Sequence, residues 1–257
     1  MAEPVRIVFL GGLGEIGRNC MAIEQQGRIL LIDCGLMFPD ADMHGIDLVL
    51  PDFTWLRDNA DRIEGVVATH GHEDHVGALQ YLLRELSFPI FGSAVTLGLA
   101  RNRIEEAGLL GKTDLVVVKD GERRMIGPFD VEFIPVTHSV PHAHAIALHT
   151  PQGVILHTGD FKLDLTPVDG RRTDIARIGA IASTEGIRVL LATAPTPRSA
   201  ATPLARPASA PCCGNCSMSR RAGGSSPPAS PATCIASSRS PTRLSPAVAS
   251  LRRLASA

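Results

Sequence analysis

The segment ATHGHEDHVGAL, residues 68–79, places three histidines, one glutamate and one aspartate within six consecutive positions, 70–75. A single histidine is usually a core or surface residue. Three histidines and an aspartate in the pattern H-x-H-x-D-H are instead typical of a metal site. The sequence therefore predicts a metal centre in an α/β protein. The candidate ligands in this segment are His70, His72, Asp74 and His75.

The surrounding residues predict how these side chains are presented. Residues 65–69 are apolar and β-branched, which indicates a buried strand leading into the motif. Alternation along an extended chain puts His70 and His72 on one side, where they can bind one ion together. Residues 74–86 repeat leucines at helical spacing, so Asp74 and His75 leave the loop in another direction. We expect them to hold a second ion.

The composition changes at residue 192. Residues 1–191 contain all 26 acidic residues, whereas residues 192–257 contain eight arginines and no Asp, Glu, Lys, His or aromatic residue. We therefore divide the chain into a domain, 1–191, and an Ala/Pro/Ser/Arg-rich tail, 192–257, that we expect to be disordered. No apolar run approaches about 18 residues, and the N-terminus does not resemble a signal peptide. We expect a cytoplasmic protein without a membrane partner.

A glycine-rich run, residues 11–17, contains the G-x-G-x-x-G pattern of dinucleotide-binding folds. Those folds continue with a crossover helix of about a dozen residues. Here two apolar segments, 20–23 and 29–32, flank the turn-like Gln25-Gln26-Gly27, which predicts a hairpin instead. We interpret the glycines as a tight loop that lets the backbone approach a metal centre.

The remaining patterns predict a mixed sheet in a layered α/β fold. Strands are predicted at residues 5–10, 115–118, 131–136, 145–149 and 154–157, and a helix at 94–107 with Ser93 as its N-cap. Two further candidate ligands, His138 and Asp160, follow strands.

Together these motifs resemble the bacterial ribonuclease J family, in the β-CASP branch of the metallo-β-lactamase superfamily. The resemblance covers residues 5–191 and implies the N-terminal portion of an αββα sandwich. It is carried by FLGGLGEIGRN at 9–19, DCGL through GID at 33–47, THGHEDHVG at 69–77, THS at 137–139 and TGDFK at 158–162.

The resemblance also implies a role for each candidate ligand. The first zinc would be bound by His70, His72 and His138, the second by Asp74 and His75, and Asp160 would bridge the two. Asp74 would in addition orient the nucleophile, which makes it the implied catalytic residue. Gly45 and Asp47 match a stretch that helps to bind calcium in relatives. The other histidines match no ligand position and are expected to be structural or exposed: His44, His142, His144, His149 and His157.

The chemistry agrees with this assignment. Two zinc ions about 3.5–4 Å apart lower the pKa of a shared water towards about 7 and so supply a hydroxide for attack on a phosphodiester. Imidazole and carboxylate ligands suit zinc, and manganese accepts them as well. The implied activity is RNA cleavage, both as a 5′-to-3′ exonuclease and as an endonuclease, in RNA processing and decay.

The tail departs from the family. Relatives continue into a β-CASP domain, a final zinc-binding histidine and a C-terminal dimerisation domain that makes the family homo-oligomeric; we find none of these in the tail. We therefore expect one zinc rather than two, and impaired activity.

The composition of the tail indicates how it arose. Most residues of the tail are of types whose codons have C or G at the middle position, as a one-base slip in a GC-rich gene would produce. An ordinary low-complexity Arg/Ser/Pro segment that binds RNA electrostatically is the alternative.

Two other functions remain open from the sequence. One is a generic hydrolase of the same fold that acts on thioesters or lactams. The other is an inactive fragment that retains metal or RNA binding. Assays against 5′-monophosphorylated RNA and a lactam separate these hypotheses.

Overall fold

The structure, a computed structural model, describes residues 4–194 and two further strands at Thr233–Cys234 and Ala247–Ser250. The helices are α1 Thr54–Asp58, α2 Glu73–Val76, α3 Leu79–Leu82, α4 Ala94–Glu106 and α5 Ile175–Thr184, with 3₁₀ turns at Ala60–Arg62 and Leu110–Lys112. The strands are β1 Arg6–Gly11, β2 Cys20–Gln25, β3 Arg28–Ile32, β4 Ile63–Val67, β5 Ile90–Gly92, β6 Leu115–Val117, β7 Arg123–Ile126, β8 Phe129–Val136, β9 Ala143–Thr150, β10 Gly153–His157, β11 Ile187–Leu191, β12 Thr193–Ala194, β13 Thr233–Cys234 and β14 Ala247–Ser250.

The strands form two main sheets. The first has the order β14-β1-β2-β3-β4-β5-β6, antiparallel from β14 to β3 and parallel from β3 to β6. The second has the order β11-β10-β9-β8-β7, with β10 and β11 parallel and the other pairs antiparallel. Strands β12 and β13 form a separate pair.

The burial pattern stacks the elements in four layers. Along β3, Ile29 and Leu31 face one apolar cluster, which includes residues of α1, α3 and α4, because successive side chains point to opposite faces of a strand. Leu30 and Ile32 face a second cluster shared with the inner face of the other sheet. A third cluster packs the outer face of the second sheet against Ile181 of α5. The expected αββα sandwich is therefore confirmed.

The glycine-rich loop leads into a hairpin rather than a crossover helix. Strands β2 and β3 pair antiparallel from Met21 with Ile32 to Gln25 with Arg28. Positive φ values occur at Gly12, Gly14 and Gly17, so the loop uses backbone conformations that glycine permits. The prediction of a hairpin in place of a dinucleotide-binding unit is confirmed.

The predicted helix at residues 74–86 is wrong as a continuous element. The structure has the short helices α2 and α3 with a break between them. The backbone N–H of Ala78 donates to Cys34 O at 3.0 Å, and Asp74 O, its helical acceptor, accepts from Asn19 N at 3.1 Å instead. Asn19, before β2, and Cys34, after β3, therefore take the hydrogen bonds that would continue the helix.

The other predicted strands and the helix at 94–107 are confirmed within a few residues, including the Ser93 N-cap, whose hydroxyl accepts from Thr96 N. Of the segment 192–257, for which we expected disorder, the structure describes Ala192, β12, β13 and β14; the rest lies outside the described residues. No helix in the described part is long and apolar enough to cross a membrane.

Candidate metal centre

His70 is oriented by the residue before it. Strand β4 ends at Val67, and the buried Ala68 and Thr69 lead into the motif. The Thr69 hydroxyl donates to Asp33 Oδ2 at 2.8 Å, so it accepts a hydrogen bond from His70 Nδ1 at 3.0 Å. With its proton on Nδ1, the fully buried His70 presents the lone pair of Nε2.

One imidazole nitrogen each from His70, His72 and His138 lies at the same place. His70 Nε2 lies 3.0 Å from His72 Nδ1, and His138 Nε2 lies 3.2 Å from the same atom. Asp160 Oδ2 lies 3.7 Å from His138 Nε2. One donor atom from each of these four residues lies within 4.8 Å of the others. We call His70, His72, His138 and Asp160 the first ligand group.

The histidines of this group are poised to bind a cation. Burial lowers the pKa of His70 and of His72, and burial lowers the pKa of His138 to about 4. All three are therefore neutral near pH 7. A neutral imidazole has a lone pair for a metal and need not lose a proton when the metal binds.

The spacing of the donors fits a metal ion. Zinc binds imidazole nitrogen at about 2.0–2.1 Å, so neighbouring ligands of a tetrahedral site stand about 3.3 Å apart. The separations of 3.0 and 3.2 Å that meet at His72 Nδ1 are close to that value. Three imidazole nitrogens and a carboxylate oxygen converge at this spacing, so the residues present fit a bound metal.

Asp160 lies between the first ligand group and a second one. It follows β10 and Gly159, whose φ of 56° and close approach to His144 O favour glycine. Its Oδ2 faces His138, and its Oδ1 lies 3.8 Å from His75 Nε2. One carboxylate thus presents an oxygen to each side, which is the geometry of a bridging ligand.

The second ligand group consists of Asp74, His75 and the shared Asp160. His75 Nε2 lies 3.7 Å from Asp74 Oδ2. Its Nδ1 lies 2.7 Å from Asp33 Oδ2, and both side chains are buried. Burial alone would lower the pKa of His75, but the Asp33 carboxylate raises it to about 9. A cation at His75 Nε2 therefore competes with a proton.

The two groups differ in completeness. In the described part of the chain, the first has three histidines and a carboxylate, whereas the second has one histidine and two carboxylates, one of them shared. The oxygen of Asp160 on the second side also accepts a hydrogen bond from Thr193 Oγ1 at 3.0 Å. The first group forms a full tetrahedral set, and the second leaves a coordination position open.

The ligands are supported by residues that the sequence did not predict. Asp33 accepts hydrogen bonds from the backbone N–H of Thr69 at 2.7 Å and from its hydroxyl. Asn19 Nδ2 donates to Asp74 O at 3.0 Å and lies 3.1 Å from His75 Nε2. The position of Asp33 directly after an apolar strand was a usable signal. Nothing in the sequence connects Asn19 with a residue 55 positions away.

The predicted calcium ligands lie apart from these groups. Gly45 and Asp47 are exposed, in the segment between β3 and α1. Within residues 4–194, the structure gathers no three His, Cys, Asp or Glu side chains around them. Calcium binding there stays a prediction.

The histidines without an assigned role do not join the first ligand group. His144 is buried, with its Nε2 2.8 Å from Asp120. His149 lies between two carboxylates, those of Glu132 and Glu185.

Comparison with known proteins relates this geometry to a family. Residues 13–200 match the sequence model described as the metallo-beta-lactamase superfamily. The chain is 47% identical over 178 residues to ribonuclease J of Synechocystis sp., which covers 68% of this chain and 28% of that protein. It is 42% identical over 189 residues to ribonuclease J 1 of Streptococcus pyogenes, with 74% and 33% covered.

A third relative, ribonuclease J of Helicobacter pylori, is 43% identical over 190 residues, with 73% of this chain and 27% of that protein covered. The chain thus spans between 27 and 33% of the length of these three relatives.

Proposed function

Since the chain belongs to the metallo-β-lactamase superfamily, we propose that it is the N-terminal part of a zinc-dependent ribonuclease J, which hydrolyses phosphodiester bonds in RNA. The observation that carries the proposal is the placement of Asp160, with one oxygen 3.7 Å from His138 Nε2 and the other 3.8 Å from His75 Nε2. A carboxylate that faces two ligand groups suits a pair of metal ions. The identity of 42–47% to proteins named ribonuclease J supports the choice of substrate.

The residues of the metal centre have different roles in the proposed hydrolysis. A zinc ion held by these residues would lower the pKa of a bound water towards about 7 and so would supply the nucleophile for hydrolysis. His70, His72 and His138 donate neutral nitrogens, and Thr69 keeps the His70 lone pair aimed at the ion. The carboxylate of Asp74 is partly exposed, and it orients the attacking water and accepts its proton.

The open position in the second ligand group explains why we propose reduced activity. Asp74, His75 and Asp160 hold a cation with one protein ligand fewer than the first group does. The affinity for a second ion falls accordingly, and an ion at His75 Nε2 competes with a proton, because Asp33 raises the pKa of His75. The chain then holds closer to one zinc than two.

Several finer points belong to the same proposal. We assign zinc to the first ligand group because imidazole and carboxylate suit it, while manganese accepts the same donors. Calcium near Gly45 and Asp47 is proposed from the sequence. In the same proposal, RNA is the binding partner and the chain acts in the cytoplasm. The family resemblance implies that self-association requires a C-terminal domain.

The test is a cleavage assay on the full chain with added zinc. We expect weak cleavage of 5′-monophosphorylated RNA and no turnover of a lactam or a thioester. His72→Ala should abolish the cleavage, because His72 Nδ1 is the atom where the donors meet. His44→Ala, which changes an exposed histidine, is the matched control and should leave it unchanged.

Turnover of the lactam or thioester without RNA cleavage would replace this proposal with a generic hydrolase. Retained zinc with no activity on any of the substrates would favour an inactive metal-binding fragment.

A further inference from the structure

Arg171 closes the loop that carries His138. Strands β8 and β9 end their pairing at Val136 and Ala143, and residues 137–142 connect them. Arg171 Nη1 donates to both carbonyl oxygens, at 3.0 Å to Val136 and 2.9 Å to Ala143. One guanidinium nitrogen therefore ties the two ends of the loop together.

The backbone immediately before His138 is held by the same segment. The hydroxyl of Thr137 donates to Arg171 O at 2.9 Å, and its backbone N–H donates to Thr173 Oγ1 at 2.9 Å. Its carbonyl accepts from Lys162 N at 2.7 Å. Every polar group of Thr137 is thus bonded to the segment between β10 and α5, so His138 leaves from a fixed backbone.

Asp120 fixes the guanidinium from the other side. Arg171 Nε and Nη2 donate to its two oxygens, at 2.7 and 2.6 Å, in a bidentate pair. Arg171, with a smaller contribution from His144, lowers the pKa of Asp120 to about 2, so the carboxylate stays charged near neutral pH. The side chain of Arg171 is only 12% exposed. The guanidinium therefore has little freedom to move.

His144 connects the Arg171–Asp120 pair to the backbone next to His70. Its Nε2 donates to Asp120 Oδ1 at 2.8 Å. Its backbone N–H donates to the carbonyl of Thr69 at 2.9 Å, directly before His70. The side chain is 1% exposed. The network thus joins the backbone that precedes His70 to the backbone that precedes His138.

We propose that Arg171 is a positioning residue of the first ligand group and sets its affinity for the ion. Its side-chain hydrogen bonds in the described part of the chain go to Asp120 and to two backbone carbonyls, so it acts by fixing the loop that presents His138 Nε2. Without it, two carbonyls lose their donor, and the loop must be ordered when the ion binds. Groups that support metal ligands in this way commonly change affinity by about 10–100-fold. The inference rests on the metal centre of the proposed function, not on RNA as the substrate.

The experiment measures cobalt(II) binding to the full chain by titration and by the ligand-field absorption of the bound ion. Arg171→Met, which removes the donors but keeps much of the volume, should weaken binding about 10–100-fold and shift the absorption bands. Arg171→Lys keeps a charge next to Asp120 but has fewer donors. It should bind with intermediate affinity, and it decides the question if the methionine variant does not fold.

Arg177→Met is the matched control. Arg177 makes a similar bidentate pair with the buried Glu132, at 2.6 and 2.9 Å, through α5 on the outer face of the same sheet. This variant should unfold more easily yet bind cobalt as the unchanged chain does. Equal weakening in Arg177→Met, or unchanged affinity and spectrum in the Arg171 variants, would overturn the inference. An unchanged chain that binds no cobalt would overturn the metal centre itself.

Discussion

At the scale of single residues, Asp33 connects the two ligand groups. Its carboxylate accepts from the backbone and the hydroxyl of Thr69, which orients His70, and it pairs with His75 Nδ1 at 2.7 Å. It is 1% exposed, so water cannot replace a lost partner. Asp33 therefore orients ligands of both groups, although it belongs to neither.

We predict that Asp33→Asn destabilises the metal-free chain by about 3–5 kcal/mol, the usual cost of breaking a buried ion pair. The asparagine side chain keeps one acceptor oxygen. Its NH2 group then faces the N–H and O–H donors of Thr69 or the Nδ1–H donor of His75, and two donors cannot form a hydrogen bond. Urea denaturation checks this. Asp130→Asn is the control, because Asp130 pairs with Arg123 at a partly exposed position and should cost about 0–1 kcal/mol. Equal losses in the two variants would contradict the role of Asp33.

The sequence could predict the candidate ligands and could not predict most of their support. His70, His72 and Asp74 are recognisable because metal binding depends on side-chain type and local spacing. Arg171 is an ordinary surface arginine in the sequence. Its role depends on the register of β8 and β9, which places Val136 opposite Ala143.

At the scale of elements, α2 is held against the segment that follows β3. The Cys34 backbone N–H donates to His75 O at 2.8 Å, and Leu36 N donates to Glu73 O at 3.0 Å. Gly35 passes between them, and a Cβ there would lie 1.6 Å from Asp74 O. The backbone that carries Asp74 and His75 therefore depends on a glycine at position 35.

We predict that Gly35→Ala displaces α2 and destabilises the chain by about 1–3 kcal/mol or more, because the clash is with backbone atoms that cannot rotate away. Thermal unfolding measures the loss. Gly98→Ala is the control: Gly98 lies inside α4 with no atom within 4 Å of an added Cβ. Alanine there should stabilise the chain by up to about 1 kcal/mol. A Gly35→Ala chain as stable as the control would show that α2 is not held as described.

Helices and strands were predictable where the apolar pattern was strong. They were not predictable where hydrogen bonds to distant residues determined the local structure. The strands of the β2–β3 hairpin follow from two continuous apolar segments and the Gln26-Gly27 turn between them. The helix at 74–86 failed because Asn19 and Cys34 take its hydrogen bonds, and these partners are distant in sequence. Helix α5 was missed although Asp174 provides an N-cap, since Ile181 is its single buried residue.

At the scale of the whole molecule, the family match ends close to the residue at which the composition changes. The superfamily match ends at residue 200, and the acidic residues end before residue 192. The chain also spans about a third or less of its ribonuclease J relatives. The change in composition near the end of the match supports the prediction that residues 192–257 are translated out of frame.

We predict that shifting the frame by one base near codon 192 gives an open reading frame of several hundred codons. It should encode a stretch like Ser-Asp-Ser-Thr-Asn at the junction and a histidine late in the product, where the second ligand group is open. Sequencing the gene through this region tests the idea. Stop codons soon after the junction in every frame would contradict it and leave a native low-complexity tail.

We expect the first ligand group to hold a metal by itself and the second not to do so. Zinc content after dialysis of the purified chain is the most direct measurement. We predict close to one zinc per chain, lost in His138→Ala and retained in His75→Ala, because His138 belongs to the complete group and His75 to the open one. Two tightly held zinc ions with full nuclease turnover, or a zinc ion that survives His138→Ala, would show that the two ligand groups do not differ in this way.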